Sequence, residues 1–135
     1  MNSEMILFVD DEPWLSQPLR LTLEADGFKC VSRTDMSSAW DYVKTNNVSV
    51  VVTDTMMPGG DNFPEIDSSE AGYHFVTLLR KERPKISIIC LSVIGDQTKI
   101  QQLKRQNVHY LRKGETPLST AVKLIVSKAS GRYSA

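Results

Sequence analysis

No apolar run in this chain is long enough to cross a membrane. The longest, VSVVV (48–52) and ISIICLSVI (86–94), fall well short of the ~20 residues that a spanning helix needs. The N-terminus lacks the succession of charged, apolar and small residues that marks a secretory signal. Net charge is missing too. Lys plus Arg and Asp plus Glu number 16 each, which argues against nucleic-acid binding by this domain, since such binding normally takes a basic face. Cysteine is scarce: Cys30 and Cys90 are the only two, and both sit in apolar stretches. A thiol there reads as a small core hydrophobe rather than half of a disulfide. These absences together predict a cytoplasmic protein with no membrane association.

What is present fits one ordinary domain. The 135 residues are 41% hydrophobic and 24% charged, enough to bury a core without staples. There is no internal repeat, low-complexity segment or internal boundary. Residues 1–130 read as the domain and 131–135 as a flexible tail. Short apolar runs, MILFV (5–9), FKCVS (28–32), VSVVVT (48–53), ISIICLS (86–92) and VHYLR (108–112), alternate with amphipathic stretches. Runs that are apolar nearly throughout suit strands covered on both faces, and hence a parallel sheet. Helical spacing covers 14–26, 35–45, 69–82, 96–106 and 117–129. Pro18 is unsuited to a helix interior, so the first helix is expected to start late or kink. Gly27 reads as its stop signal, Thr34 or Asp35 as the cap of the second helix, and Asp67 to Glu70 as a capping box for the third.

Five strand–helix units with right-handed crossovers predict an α/β, flavodoxin-like, doubly wound (βα)5 fold with strand order 2-1-3-4-5. Ligands in such sheets lie beyond the carboxyl ends of the strands, at the switch point. Asp10 and Asp11 end the first strand, Asp54 the third, Ser92 the fourth and Lys113 the fifth. Each residue alone is an ordinary cap or turn. Four strand ends converging on one rim are not. Adjacent carboxylates about 4 Å apart near a surface repel by about 4 kcal/mol, so a cation is expected among them. Three carboxylates form a hard oxygen site suited to Mg²⁺. A carboxylate can also attack phosphorus to give an aspartyl phosphate.

Through VDDEP, VVTDTMMP, CLS and YLRKG, the chain resembles the receiver domain of bacterial two-component response regulators, and is chemotaxis-receiver-like along nearly its whole length. The resemblance implies that Asp54 is the phosphoacceptor. Mg²⁺ would be bound by Asp11, Asp54 and the backbone carbonyl of Met56, with Asp10 helping through water. Ser92 and Lys113 would bind the phosphoryl group, and Ser92 with Tyr110 would form the switch. The implied partners are a histidine kinase or phosphotransfer protein as donor, and a downstream protein target or output domain. The face made by the fourth helix, fifth strand and fifth helix would meet those targets or pair two copies as a homodimer. Such a protein is not an enzyme with an external product: it catalyses only its own phosphorylation and dephosphorylation. Whether it acts alone or as part of a longer regulator stays open.

The chain departs from the family pattern at several points. Gly114 replaces the proline that commonly follows the lysine, so that peptide bond is either a strained cis bond or a trans bond in a glycine-adapted loop. Val93 follows Ser92, where a smaller residue is common. Pro58 and Gly72 are fourteen positions apart, roughly ten more than the family pattern and beyond the usual length of such a loop. The segment 58–69 and its flank carry Asp61, Glu65, Asp67 and Glu70, with Phe63 and Ile66 as anchors. It reads as a solvated excursion or as an acidic flap beside the site. A pseudo-receiver that takes no phosphate is the alternative function; the complete acid set, Ser92 and Lys113 argue against it. A phosphohydrolase of the haloacid-dehalogenase type would want an acid two residues after the nucleophile, where this chain has Met56.

Met56 and Ile94 flank the expected phosphoryl site and are apolar, so neither can orient an attacking water. Slow self-dephosphorylation is therefore expected. The decay of phosphorylated wild type should be slow, and Met56→Asn combined with Val93→Ala should hasten it; a wild-type half-life of seconds, unmoved by the substitutions, would refute this.

Overall fold

The computed structural model describes residues 4–93 and 97–130. In chain order the elements are β1 (Met5–Val9), a 3-10 turn (Pro13–Ser16), α1 (Gln17–Ala25), β2 (Lys29–Arg33), α2 (Met36–Thr45) and β3 (Val50–Thr53). They continue with α3 (Ala71–Glu82), β4 (Ser87–Ser92), α4 (Gln97–Arg105), β5 (His109–Arg112) and α5 (Leu118–Ser130). The five strands form one sheet of order β2-β1-β3-β4-β5, with every pair parallel. The flavodoxin-like topology expected from the alternation is the one observed. The expected tail, 131–135, lies outside the described residues.

The pleat divides the core. Leu7, Val9 and Val51 face one side and pack with Met36, Val43, Phe75 and Leu79 of α2 and α3. Ile6, Phe8, Val50 and Val52 face the other and pack with Leu19, Leu23 and Ile125 of α1 and α5. Successive side chains of a strand point to opposite faces, so strands apolar at every position require helices on both sides. Cys90 is buried and Cys30 half-buried, and both are free thiols. Burial pushes Cys90 up to about 12 and Cys30 up to about 11, so both stay protonated.

Some boundaries moved. The first helix does start late: a 3-10 turn occupies Pro13–Ser16, and Pro18 falls at the start of α1, where its missing N–H costs nothing. Asp35 caps α2, accepting from the Ser38 N–H at 2.7 Å. The capping box expected for the third helix does not form. α3 begins at Ala71 and Glu70 makes no side-chain cap. The Asp67 carboxylate accepts instead from the N–H and hydroxyl of Ser69, at 2.9 and 2.8 Å. This local turn competes with capping because short acidic side chains readily bond backbone two residues on.

The long segment after β3 exposes its acids, as a solvated excursion does, yet its backbone is tied to the start of α2. The carbonyls of Pro58 and Gly59 accept the first N–H groups of α2, those of Met36 and Ser37, at 2.9 and 2.8 Å. The Asn62 N–H reaches the Ser37 hydroxyl at 2.7 Å. Phe63 and Ile66 anchor the segment against the core, while Asp61, Glu65 and Asp67 face solvent. The segment thus serves as a cap on α2, supplying acceptors for N–H groups that a helix start leaves unpaired.

Gly72 closes this segment against the site. Its N–H bonds the Thr55 carbonyl at 2.9 Å, and a Cβ there would lie 2.3 Å from the Asp54 carbonyl oxygen and 2.4 Å from the Thr55 Cα. Both obstacles are backbone, so the clash cannot be relieved by a rotamer change. Gly72→Ala is expected to cost about 3 kcal/mol, the upper range for overpacking, read as a lowered urea midpoint at unchanged slope. A wild-type midpoint would contradict this close approach.

Candidate functional site at the carboxyl ends of the strands

The strand register delivers the site. Asp10 follows β1, its N–H bonded to the Arg33 carbonyl at 3.0 Å, and Asp54 follows β3, its N–H bonded to the Val9 carbonyl at 2.9 Å. The two carboxylates therefore leave adjacent strands at the same level. Lys113 follows β5, and its N–H donates to the Ser92 carbonyl at 2.8 Å. Its ammonium donates to Asp10 Oδ2 and Asp54 Oδ2, at 2.8 Å each. Burial alone would lower the Lys113 ammonium, but the bonds from Asp10 and Asp54 outweigh it and hold the group above its ordinary value.

The remaining carboxylate oxygens are tied to backbone. Asp10 Oδ1 accepts the Glu12 N–H at 2.8 Å. Asp54 Oδ1 accepts the N–H groups of Thr55, at 2.6 Å, and Met56, at 3.2 Å. The Asp54 carboxylate is thus held in a fixed orientation. Asp11 is exposed at the rim. Burial, and behind it the charges of Asp10 and Asp54, hold its carboxyl above the ordinary value. Three carboxylates against one ammonium leave the rim net negative.

Ser92 is fully buried, and its hydroxyl lies 2.7 Å from that of Thr55. The Tyr110 hydroxyl donates to the Ser92 carbonyl at 3.4 Å, with the ring packed against the core layer of α2 and α3. Met56 is 40% exposed beside Asp54, and Val93 is 60% exposed, so neither is locked by packing. Ile94 lies outside the described residues. A cavity of about 510 Å³ opens beside Lys113, walled by Leu15, Leu19, Leu91, Val93 and Leu118. None of the described peptide bonds is cis. Gly114 takes φ +83° with open space around it, so the loop after Lys113 is a trans, left-handed turn that glycine favours.

The family model described as the response regulator receiver domain matches residues 6–123. The chain belongs to this receiver-domain family. The response regulator GtcR of Aneurinibacillus migulanus is 31% identical to this receiver over 96 residues, covering 70% of the chain and 40% of the relative. The probable transcriptional regulatory protein TcrX of Mycobacterium tuberculosis is 31% identical over 94 residues, covering 67% and 40%. This receiver therefore spans about two-fifths of the length of these curated relatives. Among solved structures, the CheY-like receiver of Methanospirillum hungatei superposes with a TM-score of 0.81 at 14% identity, covering 97% of each chain. The regulator TrrA of Thermotoga maritima, in complex with Mg²⁺ and BeF, gives 0.71 at 23%, covering 93% of this chain and 98% of that one. At such identities these two show the shared fold.

The structure brings Asp10, Asp54, Lys113 and Ser92 into one network, with Asp11 beside it and Tyr110 behind Ser92. Among the described residues, no group of three or more His, Cys, Asp or Glu is arranged around a common cation position; the Lys113 ammonium takes the point where Asp10 and Asp54 converge. Sequence reasoning paired Lys113 with Asp54 or the phosphoryl group and missed its bond to Asp10. It also missed Thr55. The only trace of Thr55 was a polar residue immediately after Asp54.

The raised Asp11 carboxyl yields a pH-dependent expectation. A carboxyl whose folded pKa is raised costs the folded state stability as pH rises past its unfolded value, here 3.8. In metal-free buffer at pH 7, Asp11→Asn should therefore raise the melting temperature, with the gain vanishing below pH 3.8. Lys113→Met should lower it, since it strands two carboxylates. An Asn variant that melts at or below wild type at pH 7 would contradict the crowding of charge.

Proposed function

We propose that this receiver takes a phosphoryl group on Asp54 from a histidine kinase or phosphotransfer protein, and passes the change to a downstream protein or output domain. The observation that carries this reading is the Asp54 carboxylate itself. It stands at a strand end, oriented by two backbone N–H groups and one ammonium. A carboxylate oxygen of Asp54 forms the new bond to phosphorus. The bond from phosphorus to the donor's imidazole nitrogen breaks, and its electron pair stays with that nitrogen. Lys113, already within reach of both acids, turns toward the incoming phosphoryl oxygens and offsets part of their charge.

The donor chemistry of the rim fits a hard divalent cation. Asp10, Asp11, Asp54 and the Met56 carbonyl are all oxygen donors, and the Asp11 carboxyl is raised by burial and then by the charges of Asp10 and Asp54, which a cation would offset. These residues would hold Mg²⁺, which when bound neutralises charge on the phosphoryl oxygens. The Thermotoga relative, solved with Mg²⁺ and BeF, supports the assignment. Ser92 would donate to the phosphoryl group and Tyr110, now bonded to the Ser92 carbonyl, would follow it inward. The face of α4, β5 and α5 would then change toward targets or a second copy. The chemistry ends on the protein itself, and a cytoplasmic location fits the proposed donor; no helix among the described residues is long and apolar enough to cross a membrane.

Incubation with acetyl phosphate and Mg²⁺ should add the mass of one phosphoryl group to the intact wild type and none to Asp54→Asn. An unchanged wild-type mass would favour a pseudo-receiver, and steady phosphate release without an adduct would favour a hydrolase.

A further inference from the structure

The Thr55 and Ser92 hydroxyls are 2.7 Å apart, and both residues are wholly buried. They come from different strands, 37 positions apart: Thr55 follows the acceptor after β3, and Ser92 ends β4. Nothing in the chemistry proposed for Asp54 requires a hydroxyl at position 55. Its placement is nonetheless specific. The Thr55 N–H donates to Asp54 Oδ1 at 2.6 Å, and its hydroxyl approaches the same oxygen at 3.5 Å. Thr55 therefore stands between the acceptor carboxylate and the side chain expected to respond to it.

Ser92 is also fixed from behind. Its carbonyl accepts the Lys113 N–H at 2.8 Å and the Tyr110 hydroxyl at 3.4 Å. Either hydroxyl can be the donor of this bond; whichever donates, while the bond lasts the Ser92 side chain is held toward position 55. Oxygens of a phosphoryl group on Asp54 would compete for the Ser92 hydroxyl. We propose that Thr55 is a positioning residue that holds Ser92 in its resting orientation, so that throwing the switch requires the Ser92 hydroxyl to leave Thr55 for the phosphoryl group. The proposal rests on Asp54 being the acceptor and Ser92 the responder. The hydroxyl at position 55 thereby sets how far the resting equilibrium lies from the signalling state.

One hydrogen bond of this kind shifts an equilibrium roughly fivefold. Thr55→Val removes the hydroxyl and keeps the branched shape; Thr55→Ser keeps the hydroxyl; Thr55→Ala substitutes for the valine variant should that one fail to fold. Without phosphoryl donor, amide exchange at Ser92 and Val93 is expected to be about fivefold faster in Thr55→Val and unchanged in Thr55→Ser. In a Ser92→Ala background the valine substitution should add nothing. With acetyl phosphate and Mg²⁺, Thr55→Val should label about fivefold faster than wild type. Equal exchange in wild type and Thr55→Val, an equal rise in the Ser92→Ala background, or faster exchange without faster labelling would each overturn the proposal. Exchange is read without phosphoryl donor, so a wild type that never labels counts against Asp54 as acceptor, while the exchange data still decide the hold of Thr55 on Ser92.

Discussion

One ammonium between two carboxylates organises the functional end of this molecule. Asp10 and Asp54 leave neighbouring parallel strands at the same height, so their like charges are forced together by the sheet rather than by any local preference. Lys113, from the far strand of the sheet, relieves that repulsion with a bond to each. Charges this sheltered are tolerated only when paired. The arrangement therefore ties β1, β3 and β5 to one another at their carboxyl ends, and it leaves Asp11 as the acid without such relief. The described rim thus carries surplus negative charge, offset by the Lys113 ammonium.

Signal transmission needs a path from that charge to a surface. Ser92 is bound at its hydroxyl by Thr55 and at its carbonyl by Lys113 and Tyr110. Ser92 is thus in contact with both the loop after β3 and β5. On the other flank, the Glu70 carboxylate bonds Lys99 of α4 at 2.5 Å, and the same ammonium lies 4.5 Å from the centre of the Tyr73 ring. The start of α3 is therefore linked to α4, and the long segment after β3 is braced against α2.

Much of this was legible from residue types alone. Val- and Ile-rich runs separated by helical spacing give a covered parallel sheet, because only strands buried on both faces are apolar at every position. With chain connectivity and handedness fixed, strand order follows, and so does the gathering of Asp10, Asp54, Ser92 and Lys113. Local competition was harder to read. Asp67 has the spacing of a cap but bonds Ser69, because two backbone routes to the same carboxylate differ too little in energy for sequence to rank them. The role of the 58–69 segment was equally hidden, since its carbonyls find their partners at the start of α2, more than twenty positions earlier in the chain.

The order of residue types by itself determined the fold and the acidic rim, because periodicity and strand-end positions survive any reasonable packing, while the family resemblance came from the motifs VDDEP, VVTDTMMP, CLS and YLRKG. Only the tertiary structure decided which oxygen meets which hydrogen. It set Lys113 on Asp10 as well as Asp54, turned Thr55 toward Ser92, and let Gly114 carry the lysine loop in a trans, left-handed turn. Those choices depend on tenths of an ångström between segments far apart in the chain. Hydrogen bonds are that sensitive to distance and angle, whereas hydrophobic patterning is not.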